Sequence, residues 1–224
     1  MKIKVCGMNH NPEAVAGLKP EYLGFIFWKP SPRAFEGTRL PDLPKAVIPV
    51  GVFVDAPLED LLEKVGRFRL EGVQLHGTET PAFCRDLRQA LQKQSPDTVV
   101  IKAFSVGTSF SFGALEPYQE ACDYFLFDTR GPLPGGNGKA FDWNLLSGYP
   151  FEKPFFLSGG IGEADCEKLR TFLKRPQSRY CHAIDVNSKF ETRPGEKDID
   201  ALRRFLDCPI WRDHGHNFKP NQNE

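Results

Sequence analysis

The feature that most constrains this chain is an alternation. A short apolar run is followed by a polar or helix-patterned stretch, eight times over, with no linker between units. The apolar runs cover 2–6, 23–28, 47–54, 72–76, 98–104, 124–128, 154–158 and 181–187. Runs of this length, bounded by turn residues, read as strands buried on both faces, as parallel sheets require. Between them, helical spacing is clearest over 57–70. There Leu58, Leu61, Leu62, Val65 and Phe68 mark one face, and Pro57 suits a first turn. Segments 80–93, 163–174 and 196–206 read the same way, and 12–19, 113–122 and 141–147 hold shorter or weaker helices. Segment 38–46 carries two prolines, so its helix must be short or irregular. Eight strand–helix units are the closing number of a (β/α)8 TIM barrel, and 224 residues is compact for one. An open doubly wound sheet is the alternative. It would not ordinarily need functional loops after strands one, two, four, six, seven and eight. The expected organisation is one barrel domain over 1–210 and a polar tail over 211–224 without period.

Composition narrows the function. Hydrophobic residues make up 40% of the chain, enough for a core. Lysine plus arginine equals aspartate plus glutamate at 29 each, so the basic excess of a nucleic-acid binder is missing. There is no apolar run of membrane-spanning length, and no apolar stretch precedes the first glycine as in a secretory leader. Six widely spaced cysteines form no C-x-x-C pair and read as reduced thiols. Together these point to a cytoplasmic protein that acts on a small molecule, as a monomer or a homodimer.

The chemistry-bearing residues sit where strands end. Asp128 follows Tyr124-Phe125-Leu126-Phe127, placing a carboxylate at the mouth of the barrel. Two readings stand: a general acid favoured by its apolar approach, or a structural carboxylate paired to a cation or capping a helix. Cys6 ends strand one just before Gly7, and is either a thiol at the mouth or a small core hydrophobe. Arg33, in Ser31-Pro32-Arg33, offers a planar fork for a carboxylate or is a surface arginine. Gln74 and His76 end strand four in the same phase and could donate to a substrate. Ser158-Gly159-Gly160 before a helix, and Asn187-Ser188 after strand eight, lie where many barrels bind phosphate. The bland reading of Gly159 and Gly160 is a tight turn. Gly135, Gly136, Gly138 and Lys139 invite a nucleotide-binding reading, but Leu133 and Ala140 stand where a P-loop needs glycine and Ser or Thr. They fit a mobile lid better, with Lys139 near a substrate anion or simply solvated. Apart from His214 and His216 in the tail, no close histidine pair exists, and no metal signature stands out.

Taken in order, these pieces resemble the phosphoribosylanthranilate isomerase family. The resemblance rests on Lys4-Val5-Cys6-Gly7-Met8, Gly24-Phe25-Ile26-Phe27 with Ser31-Pro32-Arg33, Val50-Gly51-Val52-Phe53, Val73-Gln74-Leu75-His76-Gly77 and Phe127-Asp128-Thr129. It continues through Gly135-Gly136-Asn137-Gly138-Lys139 with Phe141-Asp142-Trp143, Leu157-Ser158-Gly159-Gly160-Ile161, and Asp185-Val186-Asn187-Ser188 with Pro194-Gly195 and Lys197-Asp198. It implies a cofactor-free Amadori rearrangement of N-(5-phosphoribosyl)anthranilate. Asp128 would be the acid that opens the furanose and Cys6 the base that takes the C2 proton. Arg33 would hold the anthranilate carboxylate, and loops seven and eight the phosphate. Two positions depart from the pattern: Lys189 stands where glycine is usual and Asn137 where threonine is common. Rival readings are another sugar-phosphate barrel, such as an indole-glycerol-phosphate synthase using Lys102 of strand five, and a non-catalytic phosphate-binding barrel.

Overall fold

The computed structural model describes residues 1–129 and 141–214, with side chains as far as Trp211. Eight parallel strands close into a barrel in sequence order. They are β1 (Lys2–Cys6), β2 (Tyr22–Ile26), β3 (Ile48–Phe53), β4 (Gly72–Leu75), β5 (Val99–Val106), β6 (Tyr124–Thr129), β7 (Phe155–Leu157) and β8 (Cys181–Val186). β1 pairs with both β2 and β8, which leaves no open edge and excludes the doubly wound sheet.

Both faces of each strand are buried, for different reasons. One side faces the helical layer, where the main core lies. The other faces the barrel axis, where Tyr22, Val50, Ile101, Ala103, Leu126, Phe156 and Ala183 fill the lower part. Cys6, Ile26 and Val52 form a separate small cluster above them, with Trp28 against it. Between the two lies a charged layer, described below.

Among the described residues five α-helices pack outside: α1 (Pro12–Ala16), α2 (Leu58–Phe68), α3 (Pro81–Gln94), α4 (Cys166–Leu173) and α5 (Ile199–Leu206). The apolar stripe of α2 buries Leu61, Val65 and Phe68, as its periodicity predicts. The expectation of a helix in every unit needs correction. The β2–β3 connection forms none, because Pro41 and Pro44 interrupt it. Among the described residues, the segments after β5 and β6 form only 3-10 turns, Phe112–Tyr118 and Trp143–Gly148, the former with Pro117 inside it.

One element is absent from the sequence reading. After β8 the chain makes a 3-10 turn at Ser188–Phe190 and a hairpin of β9 (Glu191–Arg193) and β10 (Glu196–Lys197). Pro194-Gly195 makes its turn, with Gly195 at φ +82° in the left-handed region that such a turn requires. The hairpin docks on the loop after β1. Asn9 and His10 donate to the Gly195 carbonyl, and Asn11 exchanges two hydrogen bonds with the Lys197 backbone.

The chain between 209 and 214 forms a last 3-10 turn, Pro209–His214. Trp211, at the expected start of the tail, is buried against Phe205 and donates its indole N–H to the Phe205 carbonyl at 2.6 Å. No helix among the described residues is long and apolar enough to cross a membrane.

Candidate active site

One pocket opens at the C-terminal end of the barrel. Cys6, Arg33, Gln74, His76, Asp128, Ser158, Gly160, Asn187 and Ser188 line its polar part, and Ile26, Trp28, Val52 and Val54 form an apolar wall. Residues singled out from six different strand ends therefore meet at one mouth.

Cys6 ends β1, and Lys4 two residues earlier shares its phase, so both point into the barrel. The space they occupy exists because Gly24, the register partner of Cys6 on β2, has no side chain. A Cβ there would lie 2.8 Å from Cys6 Sγ, 3.1 Å from Cys6 Cα and 3.2 Å from Lys4 Nζ. Lys4 is fully buried and donates to Asp185 Oδ1 at 2.7 Å, while Asp185 Oδ2 accepts from Ser158 Oγ at 3.1 Å. This ion pair is the charged layer of the barrel. Burial disfavours the Lys4 charge, but Asp185 and Cys6 outweigh it and hold the ammonium above its ordinary pKa. Burial pushes the Cys6 thiol up, with Lys4 and Lys197 pulling it back.

Asp128 stands across the mouth on β6. Its Oδ1 accepts from the Thr129 N–H at 2.8 Å, and its Oδ2 lies 3.3 Å from His76 Nε2. The Gln74 amide nitrogen lies 2.6 Å from His76 Nδ1, so with Gln74 donating the ring proton resides on Nε2, facing Asp128. The buried Gln74 Oε1 has no partner among the described residues.

Arg33 lines the mouth but is not free. Glu191 takes its Nε at 2.8 and 3.0 Å and its Nη2 at 2.8 Å. Glu191 also accepts from Lys197 Nζ at 2.8 Å, and Lys197 in turn holds Asn187 Oδ1 at 2.7 Å. Burial works against the Glu191 charge, yet these two cations keep its carboxyl below the ordinary value. Arg33 Nη1 makes no hydrogen bond to a described residue.

The loops after β7 and β8 differ in what their residues touch. Gly160 lines the mouth, whereas Gly159, at φ +100°, turns against Thr129, whose Oγ1 would lie 2.3 Å from a Cβ there. Neither glycine N–H makes a hydrogen bond to a described residue. Both Ser158 donors are committed, its N–H to the Phe127 carbonyl and its hydroxyl to Asp185. Lys189 is exposed and its backbone is outside the left-handed region, so glycine is not required at that position. Gly135, Gly136, Gly138 and Lys139 lie outside the described residues.

Lys102 does not reach the mouth. It points away from the barrel axis and pairs with Glu79 at 2.9 Å behind β5, with both side chains buried. That removes the lysine-dependent rival. Among the described residues no cluster of His, Cys, Asp and Glu could hold a metal ion.

The model of the N-(5'-phosphoribosyl)anthranilate isomerase family matches residues 3–208. The chain belongs to this family. The isomerase of Parabacteroides distasonis is 43% identical over 215 residues, covering 92% of each chain. That of Phocaeicola vulgatus is 39% identical over 208 residues, covering 92% of this chain and 96% of the relative. Among solved structures, the phosphoribosyl anthranilate isomerase of Thermotoga maritima superposes with a TM-score of 0.75 at 31% identity, covering 92% of this chain and 97% of that one. A further isomerase structure holds reduced 1-(o-carboxyphenylamino)-1-deoxyribulose 5-phosphate, and matches with a TM-score of 0.72 at 26% identity over 96% of this chain and all of that one.

The sequence reading named Lys4, Gly24 and Lys197 only inside motifs, with no role, and did not name Glu191. The parity of Lys4 with Cys6 was a usable signal. Pro194-Gly195 was a turn signal for the hairpin that brings Glu191 and Lys197 in.

Proposed function

We propose that this chain converts N-(5-phosphoribosyl)anthranilate to 1-(2-carboxyphenylamino)-1-deoxyribulose 5-phosphate in tryptophan biosynthesis, with Asp128 as acid and Cys6 as base. The observation that carries the reading is the placement of these two groups on opposite sides of one mouth, between an apolar wall and two anion loops.

The substrate has three parts, and the mouth offers a surface for each. The N–H of Gly160 and the Asn187–Ser188 turn suit the phosphate. Trp28, Ile26 and Val52 suit the aromatic ring. Arg33, held rigid by Glu191, turns its remaining edge to the anthranilate carboxylate. Asp128 gives its proton to the furanose oxygen, the C1–O bond breaks, and the anilino nitrogen supplies the electrons for a protonated Schiff base. The Cys6 thiolate then takes the proton from C2, whose electrons form the C1–C2 double bond and discharge the iminium. The enaminol tautomerises to the ketose as its hydroxyl loses a proton and C1 gains one. His76 lies where it can return a proton to Asp128. Acid, base and the substrate's own nitrogen supply every charge the steps need, so the rearrangement calls for no cofactor. The same reading makes the chain cytoplasmic and either monomeric or homodimeric.

The test is turnover of freshly made phosphoribosylanthranilate, followed by loss of its fluorescence. Rapid loss with the wild type and collapse in both Cys6→Ala and Asp128→Asn is expected. A folded wild type no faster than the spontaneous background sinks the assignment.

A further inference from the structure

We propose that Lys4 is the positioning residue that favours the thiolate form of Cys6 for proton abstraction, with Asp185 holding Lys4 in place beneath it. The proposal rests on Cys6 being the base.

The geometry carries it. Cys6 Sγ and Lys4 Nζ both meet at the bare Cα of Gly24, 2.8 and 3.2 Å from the point a Cβ would fill. Both side chains are shielded from water, Lys4 completely and Cys6 at 4% exposure. A thiolate there has lost its hydration, and an ammonium is the group that replaces it. Lys4 has no route to solvent, so a merely structural lysine would be a poor choice for the position: a buried ion pair is often no better for stability than apolar residues of the same volume. Its other partner, Asp185, is tied on its far oxygen by Ser158, which keeps the carboxylate from moving onto the thiol.

The charged groups around the thiol come from three elements. Lys4 lies on β1 itself, Asp185 on β8 and Lys197 on β10. The two lysines favour the thiolate and Asp185 opposes it, against burial, which is the largest influence and pushes the thiol up. The β2 and β3 residues packed on Cys6, Ile26 and Val52, are uncharged. His76, Asp128 and Arg33 line the same mouth.

The readout is the pH midpoint of Cys6 alkylation by iodoacetamide, read by peptide mass mapping so that the other five cysteines do not interfere. It needs no substrate, so it stands or falls separately from turnover. Lys4→Met with Asp185→Asn removes the pair without orphaning either charge. Its Cys6 midpoint should rise, slowing alkylation at a fixed pH below the midpoint by about tenfold or more, since one pKa unit is tenfold in thiolate. Its kcat should fall more than its KM rises. Asp185→Asn alone removes the opposing charge, and its midpoint should drop. Opposite shifts in two variants of the same pair are not what loosened packing gives. Wild-type midpoints in the folded double variant would overturn the proposal. If that variant does not fold, an unchanged or raised midpoint in Asp185→Asn would do the same. Absent turnover in a wild type that shows the expected midpoints would refute the isomerase reading instead.

Discussion

Glu191 is the residue whose loss should tell most about how the mouth is held. One carboxylate there accepts from Arg33 through two nitrogens, from Lys197, and from the Gly195 N–H at 3.3 Å. Glu191→Gln keeps the shape and removes the charge. A carboxamide oxygen carries no charge to balance the two cations, and its NH2 group faces one of them with like-signed hydrogens. Lys197, 2% exposed, is then left without its counter-ion. Breaking a buried pair in this way costs about 3–5 kcal/mol. For a chain of this size about 2–4 °C is lost per kcal/mol, so Tm at pH 7 should fall by roughly 6–20 °C. Because Arg33 is freed at the same time, KM should rise more than kcat falls, the mark of lost ground-state binding. The pH dependence follows from the sign of the shift. The Glu191 carboxyl is held below its ordinary 4.5 in the folded state, so its stabilisation is complete above that value and is lost as pH falls through the lower, folded one. The gap in Tm between wild type and variant should therefore be full at pH 7 and narrow under acid conditions below pH 4.5. Melting by calorimetry at several pH values checks this. A variant within a degree or two of wild type at pH 7, or a gap that widens in acid, would refute the account of the network.

Other expectations follow from single contacts. Gly24→Ala places a Cβ 3.1 Å from Cys6 Cα, which cannot move away as a side chain can. Overpacking of about 1–3 kcal/mol, and a thiol displaced enough to cost on the order of 100-fold in kcat, should appear in melting and in steady-state kinetics. His76→Asn removes the ring beside Asp128 Oδ2 and should lower kcat by tenfold or more with a smaller change in KM, given the usual range for assisted proton transfer. At the bottom of the barrel, burial holds His182 down to about 4, beside Lys2 and bonded to Tyr22. A histidine depressed in the folded state binds its proton more readily when unfolded, so stability should be full above pH 6.5 and fall as pH drops from there towards 4. His182→Gln should flatten that part of a Tm-against-pH curve, and an unchanged slope would show that the acid sensitivity lies elsewhere.

What could be read from the residues and what could not has a common cause. The barrel, Cys6 and Asp128 were legible because an apolar run that stops at a polar residue marks both a strand and its open end. The absent helices were half legible, since Pro41, Pro44 and Pro117 warn of them without saying what replaces them. The bond from Arg33 to Glu191 spans 158 residues, and no local pattern announces such a pair. The two strand lysines show the limit best. Lys4 and Lys102 both interrupt apolar runs, and in a barrel whose strands are buried on both faces hydrophobicity does not tell inside from outside. Parity does. Lys4 is two residues from Cys6, so a thiol at the mouth forces that lysine inward. Lys102 alternates with Ile101 and Ala103, which fill the barrel, so it must lie among the helices, where it meets Glu79. Once one residue of a strand is placed at the mouth, the side of every other follows, and a charged residue on the inner parity has to find its counter-charge from a neighbouring strand. In this chain Asp185 of β8 answers Lys4 of β1, across the seam where the first strand meets the last.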